Sequence, residues 1–303
     1  MGSVTLAQSA KLAQNELVEG VIENVITVNQ MFRFLPFHGI DGNALAYNRE
    51  NALGAVQMGT VGTVISAGKA PASFTQVTSS LTTIVGDAEV NGLIQATRSN
   101  PNNQKAIQVA SKAKSAGRQY QDMLVTGTGT NNQFTGLLSL VDSSQIINHN
   151  GALTLAGLDQ LIDQVTDKDG EVDFIMCNAR TRRTVRTLLR ALGGAGIVEA
   201  VEMPGGGQIM AYNGIPIFRN DWIPINQTAG SLTSTTTILA GNWDDGSQSI
   251  GISGLTARSN GGLQVEEVGI SETKDETITR VKWYCGLALF NLNGLAALKG
   301  VTD

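Results

Sequence analysis

Arg182, Arg186 and Arg190 recur every fourth residue in a segment that also carries Arg180 and Arg183. On a helix that spacing lines guanidinium groups along one face. Such a face suits carboxylates of a neighbouring chain or phosphates of a nucleic acid, or is simply solvated. Lys105, Lys112, Lys114 and Arg118 pose the same choice on an earlier helical stretch. Gly62-Thr63-Val64-Ile65-Ser66-Ala67-Gly68-Lys69-Ala70 has the look of a phosphate loop. It places five residues rather than four between its glycines, Ala70 stands where Mg²⁺ needs a hydroxyl, and no long helix follows. That argues against a nucleotide site.

The carboxylates Asp167, Asp169, Glu171 and Asp173 cluster around Gly170, but a calcium loop wants its glycine two positions later and a glutamate where Asn178 stands. A solvated turn is expected there, and again at Asp244-Asp245-Gly246. Glu266 and Glu267 are adjacent, so in a strand they point to opposite faces and make a poor hydrolytic pair. His149, in Asn148-His149-Asn150-Gly151, has turn surroundings; His38 precedes a glycine. No Gly-x-Ser-x-Gly elbow exists. Cys177 and Cys285 are far apart in apolar surroundings and read as buried free thiols. Gly205-Gly206-Gly207 has no strand-to-helix context for a cofactor. No enzyme and no cofactor are expected.

Composition sets the frame for these absences. Only 16% of the 303 residues are charged, against a usual ~25%, and 35 are glycine. Hydrophobic residues make up 42%, enough for a real core and against disorder. The surface must therefore be rich in uncharged polar residues and glycine. The net charge of −5 gives no general nucleic-acid signal. There is no 18-residue apolar window and no signal-peptide pattern at the N-terminus, so a cytoplasmic protein is expected.

The elements that must position these residues are read from periodicity. Residues 4–28 read as helix, broken near Gly20. Alternation at Leu45, Tyr47 and Arg49, then over Phe74–Val85, predicts a two-stranded arm with a loose, uncharged tip between. An isolated hairpin is marginal in water, so this arm should lie on something else. A long helix is expected from an Asn100 cap and Pro101 to Thr126-Gly127, with Ile107, Ala113, Tyr120 and Leu124 on its inner face. Helices are expected over Thr154–Asp167 and Ala179–Leu192, and strands at Val172–Cys177, Ile215–Phe218, Thr236–Leu239, Leu263–Ile270, Thr277–Tyr284 and Leu287–Phe290. The class is α+β with two lobes and two arms.

This order of elements resembles the major capsid proteins of tailed phages, the Hong Kong 97 phage fold. The local resemblance lies in Asp41-Gly42-Asn43-Ala44-Leu45-Ala46-Tyr47-Asn48-Arg49-Glu50, Gly86-Asp87-Ala88-Glu89-Val90 and Arg280-Val281-Lys282-Trp283-Tyr284-Cys285-Gly286-Leu287-Ala288. It implies an N-terminal arm at 1–37, an extended loop at 38–86 lying across an adjacent subunit, a peripheral domain at 87–147 and 255–282, and an axial domain at 148–254 and 283–303. The implied function is self-assembly, as hexamers and pentamers, into the icosahedral head shell around a double-stranded DNA genome. Scaffolding, portal and decoration proteins would be partners. The location would be the virion, reached from the host cytoplasm. Many relatives begin with a cleaved scaffolding segment; this sequence opens at the arm, which implies a separate scaffold or none.

The resemblance also implies a chemistry. The founding member of the fold links a loop lysine to a neighbour's asparagine with help from a glutamate. Lys69, Asn260 and Glu267 are the residues here that would fill those roles, with a desolvated lysine as nucleophile. Two other functions remain open: an encapsulin, a bacterial protein compartment with the same fold, and a soluble hydrolase using acidic pairs.

Overall fold

The computed structural model describes residue 31 and residues 34–98, 103–167, 170–191, 200–202, 208–259 and 261–302. The helix expected over 4–28, the Asn100-Pro101 helix start, Asn260 and the Gly205–Gly207 loop lie outside them. In chain order, strand β1 (Phe37–Ile40) precedes a hairpin of β2 (Ala44–Ala52) and β3 (Ser73–Ser80), then β4 (Thr82–Asn91). Helices α1 (Gly92–Arg98), α2 (Gln104–Thr126) and α3 (Leu137–Leu140) follow, then β5 (Ile146–Ala152), α4 (Leu155–Thr166), β6 (Phe174–Cys177) and α5 (Ala179–Ala191). The remainder is strand: β7 (Ala200–Glu202), β8 (Gln208–Tyr212), β9 (Ile215–Arg219), β10 (Gln227–Ala229), β11 (Leu232–Gly241), β12 (Ile252–Ala257), β13 (Gln264–Ile270), β14 (Glu276–Leu289) and β15 (Leu295–Thr302).

Among the described residues these strands form three sheets. A five-stranded sheet has β14 at its centre, with β4 along one edge and β12 and β13 in succession along the other, and β1 parallel to β12. An eight-stranded sheet runs β5-β15-β11-β6-β9-β8-β7, with β10 on β11. The third is the β2–β3 ribbon. The fold is α+β, as the pattern of elements predicts.

The long helix α2 starts later than expected, at Gln104. Asn103 caps it, its side-chain oxygen accepting the Ala106 N–H at 3.2 Å. It ends at Gly127, where a Cβ would sit 2.3 Å from the Phe134 carbonyl oxygen, so only glycine fits the close approach. Burial deepens towards its C-terminal half, at Ala116, Tyr120, Met123, Leu124 and Val125. There the Tyr120 ring stacks on Trp283 of β14 at 4.5 Å and meets Phe134 at 5.4 Å and Phe37 at 5.9 Å. Tyr120, Phe134 and Trp283 join α2 to β14 in the larger core, and the partly exposed Phe37 of β1 covers their edge. Burial raises the Tyr120 hydroxyl well above its ordinary pKa. Cys285 lies in the same core, its thiol pushed up to about 12 by burial. Both cysteines are buried and free, as read from sequence.

Four expectations change. The run Phe74–Val85 is two strands, because the chain leaves the ribbon at Leu81 and joins β14 instead. The runs Thr277–Tyr284 and Leu287–Phe290 are one strand, β14. Gly286 keeps it continuous where a Cβ would lie 2.9 Å from the Ser80 carbonyl oxygen. His149 lies on strand β5, not in a turn, and its Nε2 is 2.7 Å from the Ala152 carbonyl oxygen. Asp244 is also not solvated: it is buried, accepts the Gln248 N–H at 3.0 Å, and has its pKa raised by burial.

The outer face of the five-stranded sheet carries alternating charge across its strands. Arg280 of β14 stands opposite Asp87 of β4 and Glu266 of β13. It holds Asp87 with two parallel bonds of 2.8 Å, and Lys282 pairs with Glu266. The Arg280 bond holds the Asp87 carboxyl below the usual carboxylate range, and Lys282 does the same for Glu266. Depressed carboxylate pKa values mean stabilisation that is complete above the unfolded-state value and lost as pH falls through the folded one. Asp87→Asn is therefore expected to flatten the acid limb of a pH–stability curve, measured by urea unfolding from pH 7 to pH 3, and to leave it unchanged in shape at pH 6–8.

Candidate assembly surface

The ribbon is fastened at its base and bare beyond it. Tyr47 of β2 donates its hydroxyl to the Leu289 carbonyl oxygen at 2.7 Å, and its ring meets Phe290 edge-on at 5.1 Å. Arg49, on the same face of β2, donates to the carbonyl oxygens of Phe290, at 3.0 Å, and Leu289, at 2.5 Å. Leu289 is the last residue of β14, paired with Ile252 of β12, and Phe290 follows it. Losing a charged donor to two carbonyls should loosen the base. Arg49→Ala is expected to speed proteolysis at residues 53–72 several-fold in unassembled protein, with an unchanged far-ultraviolet spectrum.

The tip between β2 and β3 is organised, not loose. The side-chain oxygen of Gln57 accepts the N–H groups of Ser66, Ala67 and Gly68 at 2.9, 3.1 and 3.4 Å, and its amide donates to the Val64 carbonyl at 3.2 Å. One glutamine thus ties together a loop without a core. Around it Leu53, Val56, Met58, Val61, Val64 and Ile65 are all exposed, Val56 at 93% and Met58 at 99%. A contiguous run of large apolar side chains held in water marks an interaction surface.

The basic residues divide. On α2, Lys105 pairs with Glu267 of β13 and the Arg118 guanidinium lies 5.8 Å from the Trp222 ring centre. Lys112 is close enough to Asp87 to favour its charged form, and Lys114 also has a partner. This helix spends most of its positive charge within the chain. On α5 the burial of Thr181, Val185 and Leu189 turns the arginines outward, and Asn178 caps the helix by accepting the Thr181 N–H at 2.9 Å. Arg180 donates to the Ser234 carbonyl at 2.9 Å. Arg182 is half-buried beside Arg186 and Arg219; burial first, then those two charges, lowers its pKa, with Cys177 opposing. Arg183, Arg186 and Arg190 are exposed.

Of the residues implied in a crosslink, Lys69 is exposed in a 3₁₀ turn, Ala67–Lys69, within the tip. Glu267 is engaged by Lys105. Among the described residues no group of three or more His, Cys, Asp or Glu side chains gathers to hold a metal, and no helix is long and apolar enough to cross a membrane.

A family model identifies this sheet-and-helix body, which carries the long fastened arm. The model for the type 2A encapsulin shell proteins, SrpI-like, matches residues 89–302. This chain belongs to that family. The SrpI-like match spans every element from the end of β4 to β15. The holo-SrpI encapsulin complex of Synechococcus elongatus PCC 7942 has the same fold, with a TM-score of 0.74 at 20% identity, covering 98% of this chain and 96% of that one. The capsid of a native GTA particle follows at 0.69 and 13% identity, covering 98% of both chains. A chain of Mycobacterium phage Ogopogo gives 0.64 and 13%, covering 99% of this chain and 100% of that one. No curated protein matches by sequence. The fold is thus the Hong Kong 97 phage type, and the protein is a shell-forming structural protein. The expectation of a tailed-phage head gives way to its alternative, because the family that matches is the encapsulin one.

Proposed function

We propose that this protein assembles with copies of itself into a closed compartment that encloses protein cargo rather than a genome. The observation that carries the reading is the SrpI-like match over residues 89–302. The bare apolar tip supports it, since side chains such as Val56 and Met58 stay in water unless a second copy covers them. On this reading residues 38–86 are the loop laid across a neighbour. Residues 87–147 with 255–282 form the peripheral domain, and residues 148–254 with 283–303 form the axial domain. Heterologous contacts of this kind close into rings, and rings into a shell. Phage scaffold, portal and decoration proteins have no place in it.

Sedimentation of the purified protein, with negative-stain imaging of the fast fraction, tests the reading. Closed particles free of nucleic acid, carrying a stoichiometric second protein when isolated from the native cell, are the expected result. Particles filled with DNA would restore the phage reading, and a strictly monomeric protein at all salt and protein concentrations would overturn both. On denaturing gels of the particles the shell protein itself should run as a single band at 31.9 kDa, apart from any cargo band. A ladder would assign Lys69, Asn260 and Glu267 to a covalent link between subunits.

A further inference from the structure

The two helices of the eight-stranded sheet carry opposite charges at the same spacing. On α5 the basic row is Arg182, Arg186 and Arg190; on α4 the acidic row is Asp159 and Asp163, continued by Asp167, which caps the helix's C-terminus. Each row runs at intervals of four residues and spans about 12 Å at ~1.5 Å per residue. Each also begins half-buried and ends exposed. Asp159 receives the Tyr212 hydroxyl at 2.7 Å, and Arg182 is held between Arg186 and Arg219. The outer members of both rows are exposed. Among the described residues neither Arg186 nor Arg190 meets a carboxylate, and neither Asp163 nor Asp167 meets a cation.

Their places in the sheet keep the two rows apart within one chain. Helix α4 packs on β15 and β11, whereas α5 packs on β9, on the other side of β6. Asp163 and Asp167 line an open groove of about 490 Å³ that also takes in Ile147 of edge strand β5, with Gln160, Gln164 and Thr166. The arginine row rides on α5 over β9, three strands further from that edge than β15. A carboxylate groove at one side and an arginine row at the other is the arrangement a head-to-tail contact needs.

We propose that Arg186 and Arg190 of one copy enter the α4 groove of the next and pair with its Asp163 and Asp167. This rests on the shell reading above and names one of its contacts. The partner is a second copy of this chain because both halves of the match are present on it, in the same number and at the same pitch. Clustered arginines without carboxylates repel one another in the lone chain, and the groove's two acids relieve that repulsion only between chains. Planar guanidinium forks reach carboxylates side-on, which fixes register around a ring.

The test is a charge exchange in the full chain. Arg186→Glu with Arg190→Glu is one variant, Asp163→Arg with Asp167→Arg the second, and all four changes together the third. All four side chains changed are exposed, so each variant is expected to fold, checked by its thermal melt. Either pair alone should lower the fraction of protein in shells at least tenfold by sedimentation velocity, and the combination should restore at least half of it. Shells indifferent to both pairs, or a combination that rescues nothing, overturn the contact while leaving the shell reading standing. Arginine reversals that strip bound nucleic acid from shells of unchanged yield overturn it in favour of a polyanion. A wild-type protein that makes no shells fails the shell reading itself, and this contact with it.

Discussion

Placing aspartate at Val56 and Val61 is expected to abolish assembly while leaving the chain's own fold intact. Both side chains are exposed, and neither contributes to a core within the chain. Their loss removes nothing from the stability of the lone subunit. Covering a valine completely is worth about 1.5–3 kcal/mol, so two lost contacts per subunit weaken each interface by roughly 100-fold or more. Burying the new carboxylates adds a further penalty. Sedimentation should show only slow species at concentrations where the wild type is all shell, with the same far-ultraviolet spectrum and melting midpoint as unassembled wild type. Shells at normal yield would show that the tip is not an assembly surface.

The second large effect lies in the core. Tyr120→Ala is expected to destabilise the subunit by about 3–5 kcal/mol, the usual range for emptying a buried aromatic site. The ring is fully buried against Phe37, Phe134 and Trp283, so three neighbours lose a contact at once and the helix no longer fits the sheet. Its hydroxyl is a different matter. The bond to the Gly286 carbonyl oxygen is long, 3.4 Å, and Tyr120→Phe should cost no more than about 1 kcal/mol. Urea unfolding in the Val56→Asp, Val61→Asp background measures both without a contribution from association. Equal losses for the two variants would mean that the hydroxyl, not the ring, holds the site.

How much of this was legible in the sequence follows from the range of the interactions involved. Thr154 announces helix α4 because a cap is local: its hydroxyl reaches the Gly157 N–H three residues on, at 3.1 Å. The ribbon is legible at Leu45, Tyr47 and Arg49 because alternation is local too. The start of α2 is less sharply marked, because Asn100 and Asn103 are both good caps. Pairings between distant segments left no mark. Nothing in Phe37–Ile40 says that it lies parallel to β12, and nothing in Leu289 or Phe290 says that Arg49 will seek their carbonyls. Backbone oxygens are the same at every residue. Gln57 was passed over for the same reason, since its partners are the N–H groups of a loop.

The functional distinction was harder still. Asp87 and Arg280, in the stretches that carry the resemblance, are opposite partners in the sheet. They support the shared architecture, which phage heads and encapsulins build alike. What separates the two is the cargo, and the stretches that carried the resemblance are framework. The arginines of α5 and the aspartates of α4 were each visible as residues. Their correspondence became visible only when the sheet order showed which side each helix occupies.

The place of β14 and β15 in their sheets has a temporal consequence. β14 is the central strand of its sheet and β15 lies between β5 and β11 in the other, yet both follow the exposed ribbon by about two hundred residues. During synthesis, at 5–20 residues per second, the ribbon leaves the ribosome roughly 10–50 s before the strands that complete the body and supply the carbonyls to anchor it. Through that interval a nascent chain offers its neighbours an unanchored arm and no finished surface to receive one.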